Sequence, residues 1–349
     1  MDSIQNRITA FVKLGAFLSQ FSQEKFEKAT NIEHNDLFFD GFKHQIKVAQ
    51  EKNSWFTKDN IIFALNSWSK ALTNRNLEAW ISKNPIDSDT PKTVAIVMAG
   101  NIPLVGFHDF LSVLVSGNKI VAKLSSDDKT LLPALGQHLI EFIPGLKERI
   151  VFTSGRIGEI DAVIATGSDN SMQYFEQYFG KYPNIFRKNR TSIAVLKGDE
   201  TEDDIKSLGS DIFDYFGLGC RNVSYLLLPE GFELSRFFEG VISYGEVIHN
   251  NKYGNNYDYN KAVYLMNKLE ILDNNFCLLR ESNELFSPLS MIHYQFYKDQ
   301  SDIDNYIKEH ESKIQVVVGR DYLDYGQAQC PAFNDYADGV DVMQWLNKL

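Results

Sequence analysis

At Thr93 the chain changes texture, and the change restricts the folds open to it. The short apolar runs Val94-Ala-Ile-Val-Met98, Lys119-Ile-Val-Ala122, Ile150-Val-Phe152 and Ala162-Val-Ile-Ala165 alternate with stretches of helical period from Leu104 to Val115, Leu131 to Phe142 and Ser171 to Phe179. Short strands that are apolar on both faces, joined by helices long enough to cross over, require a mostly parallel sheet covered on both sides. The expected fold is therefore α/β, with a doubly wound, Rossmann-type domain. Ser192-Ile-Ala-Val-Leu196 reads as its last strand, and Gly198 with the acidic run Asp199 to Asp204 marks a boundary. That run suits a solvated helix start, where the helix dipole favours negative charge.

From Ser3 to about Lys83 the sequence is helical in character, with Ile4, Ile8, Phe11, Val12 and Phe21 on one stripe and Thr57 and Thr73 as N-caps of two later helices. Core packing is the expected role of that stripe. A second α/β unit follows the boundary. It comprises a strand Val223 to Leu228, a helix Glu233 to Ile248, a tyrosine- and asparagine-rich polar loop Tyr253 to Tyr259, strands near Phe276 to Leu279 and Leu289 to Phe296, and a strand Ile314 to Val318. The tail from Asp321 ends in a short helix near Val340 to Leu346. This divides the chain into residues 1–197, 198–320 and a tail 321–349. With 349 residues, 44% of them hydrophobic, two domains can each bury a core. A formal charge of -11 argues against general nucleic-acid binding. No apolar run reaches the roughly 20 residues of a membrane span. Met1 is followed by Asp2 rather than by a basic stretch and an apolar signal core, so a cytoplasmic location is expected. Three cysteines make no disulfide framework, and no Cys/His cluster has metal-ligand spacing.

The stretch Phe216-Gly-Leu-Gly-Cys220-Arg-Asn-Val-Ser-Tyr-Leu-Leu-Leu-Pro229 carries the strongest chemical signal. Ile205, Leu208, Ile212 and Phe216 recur at helical spacing upstream, the helix stops at Gly217 and Gly219, and a buried strand follows. Cys220 thus falls on a glycine-flanked turn between two ordered elements, where a thiol can be presented. Taken alone, the stretch fits an inert buried thiol at least as well. Cys330, in Gln327-Ala-Gln-Cys330-Pro, is expected to pack.

Further segments change that balance. Ala99-Gly100-Asn101-Ile102-Pro103 follows the first strand, and Gly117-Asn118 precedes Lys119-Ile-Val-Ala-Lys123-Leu-Ser-Ser126. Ile164-Ala-Thr-Gly167-Ser168, Gly219-Cys220 and Glu284-Leu-Phe286-Ser-Pro288 come after them in that order. The series resembles the aldehyde dehydrogenase superfamily from roughly Thr93 to Phe296. Within it, the helical N-terminal region, the short length and the Cys-Pro-Ala-Phe-Asn-Asp-Tyr-Ala-Asp-Gly tail look like the LuxC-type acyl-CoA reductases. The resemblance implies an aldehyde-dehydrogenase-like fold, with a cofactor domain and an α/β catalytic domain. It implies that Cys220 is the nucleophile, and that the Asn101 side-chain amide helps the Cys220 backbone N–H hold an oxyanion. By the same likeness Lys123 and Ser126 lie at the adenosine ribose, Thr166, Gly167 and Ser168 at the cofactor loop and helix start, and Glu284 at the nicotinamide ribose. Read from the residues alone, Asn101 can equally cap the helix after Pro103, Lys123 can be a solvated strand end, and Glu284 a surface acid.

One departure bears on the reaction. Hydrolytic members carry a glutamate in a Glu-Leu-Gly-Gly pattern upstream of the cysteine. Here the matching stretch is Phe186-Arg187-Lys-Asn-Arg190-Thr-Ser-Ile193, with no Asp or Glu from Gly180 to Lys197. Without a base, water attacks an acyl-enzyme slowly, which favours NAD(P)H-dependent reduction of an acyl-CoA or acyl-carrier thioester to an aldehyde. An acyl-phosphate reductase of the same superfamily and a non-catalytic binding protein on this fold are the alternatives. Arg187 and Arg190 either meet cofactor or coenzyme A phosphates or form a surface basic cluster. Ser126 stands where NAD-preferring members tend to carry a glutamate, so NADPH is the expected cofactor. NADH is the alternative, because Asp127 and Asp128 adjoin. Partners beyond the thioester would be a second copy of the chain or an acyl-transferring enzyme.

Overall fold

The computed structural model describes residues 3–84 and 90–349. Four helices open the chain: α1 (Ile4–Leu18), α2 (Asn35–Lys52), α3 (Lys58–Ala71) and α4 (Asn74–Ser82). Their starts are set by side chains that take up otherwise unpaired first-turn amides: Ser3 accepts from the Asn6 N–H, and the expected caps Thr57 and Thr73 accept from Asn60 and Asn76. The apolar stripe of α1 is spent on the core, where Ile8, Phe11, Leu14, Phe17 and Leu18 are buried.

Five strands follow: β1 (Thr93–Val97), β2 (Lys119–Lys123), β3 (Ile150–Thr153), β4 (Ala162–Thr166) and β5 (Asn184–Arg187). They form one parallel sheet in the order β3-β2-β1-β4-β5. The crossovers are α5 (Phe107–Val115), α6 (Leu131–Phe142) and α7 (Asp169–Phe179). The chain lays strands outward on one side of β1 and then returns to lay β4 and β5 on the other. Such a reversal opens a crevice at the carboxyl ends of the two central strands.

The core under α6 contains an anomaly. His138 is 1% exposed, and neither ring nitrogen has a hydrogen-bond partner. Phe17, Phe38 and Phe142 surround it at 4.3, 5.0 and 5.0 Å between ring centres. Burial, with a smaller effect from His34, lowers its pKa to about 4. The unfolded chain therefore binds a proton near pH 6.5 that the folded chain refuses until about pH 4, so stability falls as pH drops through that window, by about 3 kcal/mol in total. His138→Phe should raise the melting temperature at pH 5 and flatten its dependence on pH between 6.5 and 4. Melting curves of the two proteins that stay parallel across that range would contradict this.

The expected final strand of the first sheet lies elsewhere. β6 (Thr191–Val195) pairs in parallel with β7 (Val223–Pro229) in a second sheet, and β5 takes its place in the first. β6 is buried along its whole length and β4 in all but its last residue, and apolar content does not say which sheet a strand joins. The second sheet adds β8 (Leu272–Asp273), β9 (Leu278–Glu281), β10 (Met291–Tyr297) and β11 (Ile314–Val318), in the order β11-β6-β7-β10-β9-β8. Only β8 runs antiparallel to its neighbour. Around this sheet lie α8 (Glu202–Phe213), α9 (Leu234–Gly240), α10 (Asn251–Met266) and α11 (Gln300–His310). Thr201 and Asp204 close a reciprocal capping box at the start of α8, which explains the acidic run there.

The segment Tyr253 to Tyr259, expected as a loop, is the middle of α10. Its polar composition conceals two inward anchors: Tyr253 Oη donates to the Phe276 carbonyl at 3.0 Å, and Tyr257 Oη donates to Asp273 Oδ1 at 2.6 Å. The expected helix Glu233 to Ile248 divides into α9 and a 3₁₀ segment, Ile242–His249.

Contacts divide the chain into two compact units. One runs to Lys188 and takes in the last stretch, Ala332–Leu349, whereas the other spans Asn189–Pro331. The expected boundaries after Lys197 and at Asp321 therefore move, since β6 belongs to the second sheet and the end of the chain returns to the first unit. That return is held by Tyr336, whose hydroxyl accepts from Trp80 Nε1 at 2.8 Å, by Phe333 stacked on Trp80, and by α12 (Val342–Leu346). No described helix is long and apolar enough to cross a membrane. Among the described residues no group of His, Cys, Asp and Glu could hold a metal ion.

Candidate active site

In the first unit, the residues singled out in the sequence gather along one edge of the sheet. Register places Val97 level with Lys123 on one side and with Ala165 on the other, so the loops leaving β1, β2 and β4 stand side by side. The loop after β1 is held from two directions. A Cβ on Gly100 would lie 2.5 Å from Ser125 Oγ, which only glycine avoids, and the Gly100 carbonyl accepts from Asn53 Nδ2 at 3.1 Å. Asn53 is buried at the C-terminal end of α2 and was not recognised in the sequence. Its partner lies 47 residues away, so no local pattern points to it. Asn101 sits on this clamped loop. It does not cap the next helix, because α5 begins at Phe107 with Gly106 as its N-cap.

Lys123 ends β2, and its ammonium has no polar partner among the described residues. Ser126 is exposed and donates to Asp127 Oδ1 at 3.2 Å. Asp128 turns inward, and burial raises its pKa, opposed by the nearby backbone amides of Thr130, Leu131 and Leu104. Thr166 ends β4, and Ser168 precedes α7 without making a side-chain cap, its hydroxyl lying 3.2 Å from that of Ser171. The first turn of α7 thus keeps the positive end of its dipole for an incoming anion. A free ammonium, several hydroxyls and a helix N-terminus form a donor set that fits a dinucleotide's diphosphate and ribose hydroxyls. Arg187 takes no part in it. Its guanidinium grips Asp109 through two bonds of 2.5 and 2.7 Å, both side chains being largely buried, and the pair ties β5 to α5. Arg190 donates to the Ile314 carbonyl at 3.1 Å.

In the second unit, α8 does not continue to Phe216 as its apolar spacing suggested. It ends at Phe213, and the chain turns through Tyr215 (φ 55), Phe216 (φ 59) and Gly217 (φ 76). Two consecutive left-handed non-glycine residues cost roughly 1–3 kcal/mol each and persist only where surroundings enforce them. Here burial of both aromatic side chains enforces them. The turn that follows exposes Cys220. Ser192 Oγ donates to the Cys220 carbonyl at 3.0 Å, Arg221 Nε donates to the Ala328 carbonyl, and the buried Asn222 accepts the Gly219 N–H at 2.8 Å. Behind the turn, burial raises the carboxyl groups of Asp211 and Asp214 to a pKa of about 6. Asp211 takes the amides of Gly326 and Ala328 at 2.6 and 2.8 Å and so fixes the segment before Cys330.

The three thiols differ sharply. Cys277 is fully buried, and its pKa is driven far up by the loss of solvent, so it is inert. Cys330 is exposed, contrary to the packing role expected for it, because Ala328 and Gln329 fill the interior positions of that segment. Glu284 lies exposed on the loop between β9 and β10, and its carboxylate has no hydrogen-bond or ion-pair partner among the described residues. Its backbone is fixed: the carbonyl accepts from His293 Nδ1 at 2.8 Å, and the N–H donates to Ser282 Oγ at 3.1 Å. Burial lowers the pKa of His293, which stays neutral.

A five-stranded doubly wound parallel sheet followed by a six-stranded, mostly parallel α/β unit is a fold this chain shares with aldehyde dehydrogenases. Solved structures agree. A Burkholderia cenocepacia protein assigned to the aldehyde dehydrogenases is similar with a TM-score of 0.64 at 12% identity, over 97% of this chain and 81% of that one. The P. syringae indole-3-acetaldehyde dehydrogenase AldA, in complex with NAD+, is similar at 0.61 and 13%, over 90% and 75%. The NAD+ complex of an aldehyde dehydrogenase from Bacillus cereus is similar at 0.59 and 11%, over 90% and 71%. The sequence profile of the LuxC acyl-CoA reductases matches residues 20–229. The chain belongs to that family, and so to the oxidoreductases acting on aldehydes or acyl-CoA. No curated protein matches it in sequence.

Proposed function

We propose that this protein reduces an acyl-CoA, or another acyl thioester, to the aldehyde through an acyl group carried on Cys220. The observation that carries the reading is an exposed thiol on a rigid turn, in a chain with no carboxylate between Gly180 and Lys197 to activate water. The Cys220 thiolate attacks the thioester carbonyl, a carbon–sulfur bond forms, and the donor thiolate leaves and takes up a proton. The Asn101 amide and the Cys220 N–H bear the oxyanion of the tetrahedral stage. Lys123, Ser126, Thr166, Gly167, Ser168 and Glu284 would hold the nicotinamide dinucleotide, which when bound supplies the hydride. Cys220 then departs as the thiolate with which it began, and the aldehyde is released. Intact-protein mass spectrometry after incubation with acyl-CoAs of graded length, without reductant, tests the reading. One acyl adduct that maps to Cys220 is expected, and no adduct with any donor would sink it.

NADPH is the cofactor we assign, with NADH also accepted. The position three residues past Lys123 is a neutral serine, and Asp128 faces inward, so Asp127 is the carboxylate left beside Ser126. A charge at about 4 Å in water is worth about 1 kcal/mol against a 2′-phosphate charge. Ser126→Glu should therefore lower kcat/KM for NADPH roughly fivefold or more while sparing NADH, and Asp127→Asn should move the ratio the opposite way. Ratios that do not move in either variant would place the selectivity elsewhere.

A further inference from the structure

We propose that Asn222 is the positioning residue that aims the Cys220 peptide N–H at the developing oxyanion, an inference that rests on Cys220 being the nucleophile. The Asn222 side chain, 2% exposed, bonds both ends of the turn. Its Oδ1 accepts the Gly219 N–H at 2.8 Å. Its Nδ2 lies 3.1, 3.3 and 2.9 Å from the carbonyls of Asp211, Ile212 and Asp214, where α8 ends, and donates to them. With the side chain anchored there, the backbone N–H of Asn222 donates to the Gly219 carbonyl at 3.0 Å.

That last bond sets the direction of the catalytic amide. The Gly219 carbonyl and the Cys220 N–H belong to one planar peptide unit, which is trans, so they point to opposite sides. A carbonyl drawn toward the Asn222 N–H turns the Cys220 N–H to the opposite side, away from Asn222, at a residue that is itself exposed. On the other side of the residue, Ser192 holds the Cys220 carbonyl at 3.0 Å. Both peptide units around the nucleophile are thus fixed before substrate arrives, and preorganisation of this kind gives an oxyanion donor its effect. Asparagine suits the position because one planar amide offers an acceptor to Gly219 and two N–H donors shared among three carbonyls. An aspartate would turn a second acceptor toward those same carbonyls.

Two rates at the same sulfur test the assignment. Acylation of Cys220 by an acyl-CoA builds an oxyanion, whereas alkylation by iodoacetamide displaces iodide at a saturated carbon and builds none. Asn222→Ala should slow acylation by about 10²-fold, with KM for the acyl-CoA changed by less than about threefold and the alkylation rate nearly unchanged. Where Asn222→Ala does not fold, Asn222→Asp serves. It keeps the volume and the acceptor for Gly219 and should slow acylation by about tenfold with alkylation again spared. Equal slowing of both reactions, or no slowing of acylation, overturns the proposal. A wild-type protein that takes up no acyl group on Cys220 would instead show that the nucleophile itself is misassigned.

Discussion

Cys220→Ala is expected to abolish acyl transfer and reduction, lowering turnover by at least about 10⁴-fold, while the melting temperature and cofactor binding stay at wild-type values. The first part follows from chemistry: without the sulfur, no covalent intermediate divides the reaction, and nothing else on the turn can attack a carbonyl. The second follows from exposure. Cys220 lies at the surface of its turn, the turn is held by Ser192, Arg221 and Asn222 rather than by the thiol, and surface substitutions of this kind change stability by roughly 0.5 kcal/mol or less. Cys330→Ala serves as the control, since its sulfur is also exposed. Acyl adducts measured by mass spectrometry on both variants decide the matter: loss in Cys330→Ala and retention in Cys220→Ala would reassign the nucleophile.

Asn101→Ala is expected to lower kcat by roughly 10²–10³-fold, the usual effect of losing one oxyanion donor, about 3–4 kcal/mol of transition-state stabilisation. KM should change little, because the ground-state carbonyl needs the donor less than the oxyanion does. The structure removes the competing account of this residue. α5 starts at Phe107 under Gly106, so Asn101 is not its N-cap, and the loop that carries it is held by Asn53 and by the packing of Gly100 on Ser125. The fold should survive the substitution. Steady-state kinetics that leave kcat within threefold of wild type would remove Asn101 from the mechanism.

Where the candidate residues stand in the secondary structure was largely legible in the sequence, for a physical reason. Lys123, Thr166 and Ser168 lie at strand ends and a helix start, and those positions follow from local apolar period alone. Cys220 was legible because the glycines around it mark a turn, although its helix ends earlier than its apolar spacing implied. The left-handed pair Tyr215 and Phe216 lies where no propensity would place it, enforced only by burial of both rings. Arg187 stayed open between a phosphate contact and a surface basic cluster because its partner Asp109 is 78 residues away. Asn222, beside the cysteine, was overlooked because its work consists of bonds to the end of the preceding helix, and an asparagine in a turn needs no such explanation.

The order of the residues by itself determined the α/β class, the helical opening, the caps at Thr57 and Thr73, the parallel strands from Thr93 to Thr166, and the absence of any carboxylate near the position of a hydrolytic base. These depend on period, capping chemistry and composition, which act over a few residues. Only the tertiary structure decided that β6 joins β7 and β11, that Tyr253 and Tyr257 lie in a helix, and that the last residues return to the first unit. Each of those outcomes depends on a partner well separated along the chain. A buried strand exposes the same apolar residues and the same backbone donors to any neighbour, so its choice of neighbour is made when the whole chain packs.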